Sequence, residues 1–216
     1  GLLNVAVQLP DFPWDSLVPF AERARAHSDG IVDLSVGSPV DPVPDDVRAA
    51  LAAAADAPGY PATAGSPDLR RSIVGWFARR GIELGEANTM PTVGSKEFIA
   101  LLPTLLGLGA GDVVVQPSLA YPTYAVGAVL AGASVVVADD PDDWPDGTRL
   151  VWLNSPGNPD GRVHDLAFLR RAVERARSIG AVIANDECYT ELNWAADVPT
   201  PSILHPDVLQ GSRRLT

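Results

Sequence analysis

The stretch VVVQPSLAYPTYAVGAVLAGASVVVA, residues 113–138, decides the fold class. Its two valine-rich runs predict strands at Val113–Gln116 and Ser134–Ala138, and the apolar segment between them predicts a helix over Pro122–Leu130. Both strands are apolar without alternation, which is typical of strands buried on both faces. A strand, a helix and a second strand in succession therefore predict a parallel sheet covered by helices.

The same alternation continues on both sides of this unit. Further strands are predicted at Ile31–Val36, Met90–Val93, Leu150–Leu153 and Ala181–Ala184, and further helices at Asp45–Ala55, from Pro67 to Gly81, at Lys96–Leu106 and at Leu166–Ile179. We therefore predict an α/β fold with a mainly parallel sheet and helices on both faces. Ligands of such folds bind beyond the carboxyl ends of the strands.

Composition narrows the class of ligand. The 216 residues are 46% hydrophobic, enough for a sizeable core, and carry a formal net charge of −11. This acidity argues against nucleic acid and anionic membranes as partners, because both require clustered basic residues. A small molecule is the expected ligand.

The residues that could hold metals or disulfides are sparse. Cys188 is the only cysteine, and His27, His164 and His205 lie far apart without ligand spacing, so we expect neither a disulfide nor a metal site. We see no leader-like N-terminus and no apolar run long enough to span a membrane. The expected location is the cytoplasm.

Two strand ends carry candidate site residues. The turn Gly94-Ser95-Lys96 joins a predicted strand to a helix, so its backbone N–H groups could bind an anion such as phosphate, although a glycine there could also serve the turn alone. Asp186 follows the run Ala181–Ala184 and could act as a cap, as a metal ligand or as the partner of a cationic heterocycle.

Six motifs, taken together and in this order, resemble the class I/II aminotransferases. They are VGSP (36–39), PGYPATAG (58–65), PTVGSKE (91–97), PSLAYPTY (117–124), LNSPGNPDGR (153–162) and NDECY (185–189). Within the family, PGYPATAG, GSKE and LLPTLLGLG (101–109) are most like the succinyldiaminopimelate aminotransferases of actinobacteria. The resemblance covers about residues 30–195.

The resemblance implies a fold-type-I architecture that binds pyridoxal 5′-phosphate (PLP). Residues 1–40 would form an N-terminal arm and a small-domain segment, and residues 41–216 an incomplete PLP-binding large domain, truncated before the C-terminal small domain. The implied reaction transfers an amino group between an amino acid, with glutamate as the expected donor, and a 2-oxo acid, with N-succinyl-diaminopimelate of lysine biosynthesis as a candidate substrate. Homodimerisation is implied as well.

The resemblance also implies roles for individual residues. Gly94, Ser95 and Lys96 would hold the cofactor phosphate, and Tyr121 would stack on the pyridine ring. The remaining roles fall on Asn158 and Tyr189 at the phenolic oxygen, Asp186 at the pyridine nitrogen, Tyr60 at a phosphate across the dimer interface, and Gly37 beside the substrate carboxylate.

Two departures from the family pattern stand out. Asp160 replaces the usual threonine of the NPTG motif and brings a charge to that loop, unless it caps the turn. The lysine that forms the Schiff base with the cofactor has no counterpart before Thr216, since Lys96 is the only lysine and lies at the phosphate end. No catalytic residue is therefore predicted within residues 1–216, and the lysine is expected beyond Thr216.

Other functions remain open at this point. A PLP-dependent lyase would use the same cofactor-binding residues, because fold alone does not determine the reaction. A non-catalytic ligand-binding module, such as the effector domain of a transcription regulator, is a second alternative. A different α/β fold that binds a nucleotide or sugar phosphate is a third.

Overall fold

A parallel sheet of four strands forms the centre of the molecule. The computed structural model describes residues 7–11, 13–37, 39–195 and 197–209. The strands are β1 (Val113–Gln116), β2 (Ser134–Val137), β3 (Thr148–Asn154) and β4 (Val182–Asp186), in the order β2-β1-β3-β4, and every pairing is parallel. The predicted parallel α/β sheet is confirmed.

Seven α-helices surround or precede the sheet within the described residues. They are α1 (Val18–Arg25), α2 (Asp45–Ala54), α3 (Pro67–Arg79), α4 (Ser95–Leu105), α5 (Thr123–Ala131), α6 (Leu166–Ile179) and α7 (Pro206–Leu209), with short 3-10 helices at Pro13–Leu17, Glu86–Asn88, Pro141–Asp143 and Thr190–Leu192. The predicted helices are confirmed to within about one or two residues, as is usual for helix ends.

The two faces of the sheet carry separate cores. On one face Val114, Leu150 and Trp152 pack with buried residues of α4 and α5. On the other face Val115 and Val151 pack with buried residues of α6. Successive strand residues point to opposite faces, which is why a continuous apolar strand such as β3 can fill both cores. Helices on both faces are thereby confirmed.

Local sequence signals account for the ends of the best-defined helices. At the start of α6 the Asp165 carboxylate accepts from the backbone N–H of Phe168, at 2.7 Å. At the start of α3 the Ser66 hydroxyl accepts from the N–H of Leu69, at 3.2 Å, and Pro67 occupies the first position. Both side chains satisfy one of the N–H groups that a helix leaves unpaired at its start.

Two predicted strands are wrong. Ile31–Val36 and Met90–Val93 have no strand structure, although both are rich in β-branched or apolar residues. Val32, Leu34 and Val93 are almost fully exposed instead. A strand exists only when a neighbour accepts its hydrogen bonds, and no described residue pairs with either segment.

The described residues before α3 contribute nothing to these cores. No described residue from 7 to 66 is buried, and α1 and α2 have no buried side chain. Phe20, Leu34, Leu51 and Tyr60 are among the large side chains exposed there. The predicted boundary between an arm over residues 1–40 and a large domain over 41–216 stays a prediction; residues 1–6 and 210–216 and Ser38 of VGSP lie outside the described residues.

The described helices offer no candidate for a membrane span, because none is both long and apolar enough.

Candidate functional site

The strand order creates a crevice at one edge of the sheet. From β1 the chain passes through α5 to β2 on one side, and then returns to β3 on the other side of β1. The loops that follow β1 and β3 therefore leave in different directions, and such a switch point is where ligands bind in open α/β sheets. The predicted site residues Tyr121, Asn158 and Asp186 all follow or end strands at this edge.

Asn154, the last residue of β3, ties two parts of this edge together. Its side-chain N–H groups donate to the carbonyls of Asp186 and Pro156, at 3.0 and 3.1 Å. Its side-chain oxygen accepts from the backbone N–H of Asn158, at 2.9 Å. The loop after β3 is thereby fixed to the end of β4, and the loop contains cis peptide bonds before Pro156 and Pro159.

The structure brings Asn158 and Tyr189 together. The side-chain amide of Asn158 donates to the Tyr189 hydroxyl at 3.2 Å, across 31 positions of sequence. Asn158 is exposed and Tyr189 is partly buried, so both polar groups border solvent. Burial raises the pKa of the Tyr189 phenol, which keeps it protonated at neutral pH. The pair offers two hydrogen-bond donors at one point of the edge.

Asp186 lies next to this pair, with both carboxylate oxygens hydrogen-bonded. The backbone N–H of Cys188 donates to Oδ1 at 3.2 Å, and the hydroxyl of Tyr124 donates to Oδ2 at 3.0 Å. The two oxygens together can accept about four hydrogen bonds, so the carboxylate keeps capacity for a further donor beside these two and the Cys188 side chain.

Tyr121 belongs to the same group of side chains. Its ring meets the ring of Tyr124 edge to face, with 5.9 Å between centroids and 83° between planes. Tyr124 in turn lies parallel to Trp152, at 4.7 Å and 13°. Tyr121 remains partly exposed while Tyr124 is fully buried, so Tyr121 presents aromatic surface to the crevice.

The predicted phosphate turn stands at the start of α4. Gly94 has φ of +73°, a value that favours glycine, and the helix begins directly after it at Ser95. Gly94, Ser95 and Lys96 are exposed. The first N–H groups of an α-helix have no partner within the helix, so this turn can accept an anion.

Asp160 caps its own turn. Its Oδ1 accepts from the backbone N–H of Arg162, at 3.2 Å, and its Oδ2 lies 3.9 Å from Nε of Arg162. The carboxylate therefore has a local structural use that a threonine hydroxyl could supply only in part. Of the two explanations open from the sequence, the structure supports the turn cap.

Two predicted site residues stand apart from this group. The side chain of Tyr60 is fully exposed, and Gly37 lies in an exposed stretch without regular structure. Neither is part of the packed edge within the described chain. Their predicted roles at a phosphate and at a substrate carboxylate stay predictions.

Sequence reasoning missed three residues that hold the site in place. Asn154 and Tyr124 were included in motifs but given no role of their own. Glu187 was also overlooked: it forms a partly buried ion pair with Arg80 of the chain segment after α3, at 3.4 Å, and accepts from the side-chain N–H of Asn185 and the backbone N–H of Ile203. For Asn154 and Glu187, a polar residue at or just after a strand end is the signal in the sequence, whereas Tyr124 has no such signal because it lies in an apolar helix.

A small cavity lies beside the site and does not coincide with it. Its lining includes Ser118, Asp139, Asp160 and His164, and it excludes Tyr121, Asp186 and Tyr189. Burial lowers the pKa of His164, whose ring lies against Phe168 at 3.9 Å. The cavity lies among the loops that follow β1, β2 and β3.

Comparison with known proteins gives consistent matches. The sequence profile of the family "Aminotransferase class I and II" matches residues 29–208. A probable aminotransferase of Mycobacterium tuberculosis is 55% identical over 211 residues, which cover 96% of this chain and 50% of that protein. The 4-dedimethylamino-4-oxo-anhydrotetracycline transaminase of Streptomyces rimosus is 50% identical over 207 residues, covering 95% and 57% respectively.

Solved structures agree with the sequence matches. The N-succinyldiaminopimelate aminotransferase of Mycobacterium tuberculosis superimposes with a TM-score of 0.73 at 28% identity, covering 87% of this chain and 52% of that one. The chain spans about half the length of the curated relatives it matches. Since the family profile covers most of its residues, the chain belongs to the class I and II aminotransferases, which are PLP-dependent enzymes of fold type I.

Proposed function

We propose that the protein is a transaminase that moves an amino group between an amino acid, with glutamate as donor, and a 2-oxo acid. One observation carries the proposal: Asn158 from the loop after β3 meets the end of β4, where Asp186 and Tyr189 lie, and Asn158 and Tyr189 are joined at 3.2 Å. Family membership supports the same class of reaction.

The residues present fit PLP. A cofactor with a cationic ring nitrogen, a phenolic oxygen and a phosphate needs a carboxylate, neutral donors and an anion site. Asp186 supplies the carboxylate, the joined amide and phenol of Asn158 and Tyr189 supply the donors, and the start of α4 supplies the N–H groups of a first helical turn. Tyr121 adds an aromatic face.

Each of these residues then has a definite task. Asp186 binds the protonated ring nitrogen, and Asn158 and Tyr189 donate to the phenolic oxygen. Gly94, Ser95 and Lys96 bind the phosphate, Tyr121 covers one face of the ring, and Tyr60 and Gly37 act at a second phosphate contact and at the substrate carboxylate. Bound PLP supplies the electron sink that allows the α-proton of an amino acid to leave.

For the 2-oxo acid, we propose the oxo partner of N-succinyl-diaminopimelate, which would place the protein in lysine biosynthesis. The structural likeness to an enzyme named for that substrate supports this choice. The 50% identity to a tetracycline-intermediate transaminase supports a bulky cyclic ketone as the alternative acceptor. The substrate panel that tests the proposal includes both acceptors.

A homodimer in the cytoplasm is part of the proposal. Tyr60 is fully exposed, and several large apolar side chains before α3 are exposed as well. Exposed apolar patches normally mark interfaces, which supports a dimer in which a second copy covers them. A reducing compartment suits a chain whose single cysteine has no partner for an internal disulfide.

The test uses the full-length protein with PLP, glutamate and a panel of acceptors. We expect 2-oxoglutarate to appear in step with aminated acceptor. Asp186→Asn should lower kcat/KM by about 100-fold or more, because a charged contact at the reacting ring is lost. Asp160→Asn makes the same carboxylate-to-amide change in the neighbouring loop and keeps the turn acceptor, so its kcat/KM should stay within about twofold.

Other outcomes point to the alternatives. Release of ammonia or carbon dioxide without aminated acceptor would identify a PLP-dependent lyase. PLP binding without turnover of any amino acid would identify a non-catalytic binding module.

A further inference from the structure

Tyr124 is a buried phenol that the proposed function does not use. Its side chain is fully buried in the first turn of α5, yet its hydroxyl donates to Oδ2 of Asp186, 62 residues away in sequence, at 3.0 Å. A tyrosine that served only to fill the core would bury this hydroxyl at a cost unless it found a partner. Here the partner is the carboxylate of Asp186, the residue proposed to bind the ring nitrogen of the cofactor.

The ring of Tyr124 is held firmly on two sides. Trp152 lies parallel to it at 4.7 Å, and Tyr121 meets it edge to face at 5.9 Å. Trp152 is itself a buried residue of β3. The packing of the ring therefore restricts the hydroxyl, which has little freedom to follow the carboxylate if the carboxylate rotates.

Two fixed donors determine how Asp186 is oriented. The backbone N–H of Cys188 binds Oδ1 at 3.2 Å and the Tyr124 hydroxyl binds Oδ2 at 3.0 Å. A donor on each oxygen restricts the rotation of the carboxylate about the Cβ–Cγ bond. Burial, followed by the charge of Asp186, raises the pKa of Tyr124, so the phenol stays protonated and remains a donor throughout the ordinary pH range.

We propose that Tyr124 is a positioning residue of the cofactor site, which holds the carboxylate of Asp186 in the direction needed to meet a pyridine ring nitrogen. The proposal rests on the proposed function, because it requires PLP as the ligand. Tyr121 and Tyr124 then act from one short segment: the first contacts the ring face, and the second sets the carboxylate at the ring nitrogen. When a cofactor-binding side chain is already held in its bound orientation, less entropy is lost on binding.

The test compares two ligands on the apo form of the full-length protein. One ligand is PLP, and the other is its analogue in which C–H replaces the ring nitrogen, so that Asp186 has no proton to bind. Affinities are measured by quenching of tryptophan fluorescence. Tyr124→Phe keeps the ring and removes only the hydroxyl, so we expect the affinity for PLP to fall about tenfold. The affinity for the analogue should stay within about twofold.

A matched control separates positioning from packing. Trp152→Phe disturbs the same aromatic stack but leaves the Tyr124 hydroxyl in place, and the indole N–H of Trp152 has no hydrogen-bond partner among the described residues. This variant should change the affinities for both ligands by the same factor. Tyr124→Phe in an Asp186→Asn background should change neither affinity further, because the two residues act through one contact.

Several results would overturn the proposal. Equal losses for PLP and the analogue in Tyr124→Phe would show a packing effect, and unchanged PLP affinity would show that the hydroxyl is dispensable. If Tyr124→Phe does not fold, 3,5-difluorotyrosine at position 124 keeps the shape and makes the hydroxyl a stronger donor; it must then change the affinity for PLP alone. A wild-type protein that binds neither ligand refutes the proposed function itself, which distinguishes the two failures.

Discussion

At the scale of single residues, Cys188 shows how the site carboxylate affects its neighbours. Burial first, and then the charge of Asp186, raise the pKa of the Cys188 thiol to about 12, although the residue borders solvent. The thiolate is the reactive form of cysteine, and a raised pKa makes it scarce at neutral pH. Exposure alone would predict a reactive thiol. The raised pKa predicts instead that Cys188 reacts slowly at neutral pH.

Labelling of Cys188 with iodoacetamide tests this effect, since the chain has no other cysteine. At pH 8 we expect labelling of the folded protein to be at least about 100-fold slower than in denaturant, and its rate to keep rising above pH 9 as thiolate forms. Asp186→Asn removes the neighbouring charge and should speed the reaction. Equal rates for folded and denatured protein would contradict the raised pKa.

Candidate site residues can be predicted from the sequence when they belong to a recognisable motif. Residues whose role depends on contacts in three dimensions are missed. Asp186, Asn158 and Tyr189 are recognisable from strings at predicted strand ends, and the structure brings them to one edge. Tyr124 occupies an apolar helix position, where an aromatic residue suggests core packing. Its hydrogen bond to a residue 62 positions away becomes visible only in the folded chain.

At the scale of elements, the crossing of α4 and α5 depends on Gly127. A Cβ atom added there would lie 2.9 Å from the carbonyl oxygen of Ala100 and 3.0 Å from that of Ile99, so the backbones touch at this point. No rotamer change can relieve contact with backbone atoms. The two helices would have to separate, and α4 carries the predicted phosphate turn at its start.

Gly127→Ala should therefore destabilise the fold by about 2 kcal/mol, which urea unfolding would measure. Gly75→Ala is the matched control: it lies within α3, and its new Cβ would have only Arg79 nearby, at an ordinary 3.7 Å. That variant should gain up to about 1 kcal/mol from helix propensity alone. Equal effects of the two substitutions would show that the helices do not meet as closely as described.

Elements were predictable where local pattern and tertiary structure agree. The helix over Leu166–Ile179 was predicted with both ends correct, and in the folded chain Asp165 caps its start and Gly180 its end. Ile31–Val36 and Met90–Val93 have equally suitable residues for strands but no partner among the described residues. Strand formation depends on distant pairing, which composition does not reveal.

At the scale of the whole molecule, the two halves of the described chain differ in kind. From α3 onward the chain builds two cores around the sheet, whereas no described residue from 7 to 66 is buried. On its outer side, β4 also has no partner strand among the described residues. An open strand edge and an exposed apolar segment both favour association with another chain or segment.

A polypeptide of this sequence should accordingly associate in solution. Sedimentation is expected to give a mass above the 22.7 kDa of one chain, despite the repulsion from a net charge of −11. Leu51→Glu places a charge on the exposed face of α2 and should shift the distribution toward the monomer without lowering thermal stability. A single species of 22.7 kDa at micromolar concentration would contradict the prediction.

The strand order has a consequence for the time at which the site forms during synthesis. Strands β1 and β2 and the start of α4 leave the ribosome first and can pair at once, but Asp186 ends β4, the last strand of the described sheet to be made and the one at its edge. Pairing of Asn154 with Asp186 then completes the edge. With Asp186 in its proposed role at the cofactor, PLP would bind only after β4 has been made, and it would not guide the earlier steps of folding on the ribosome.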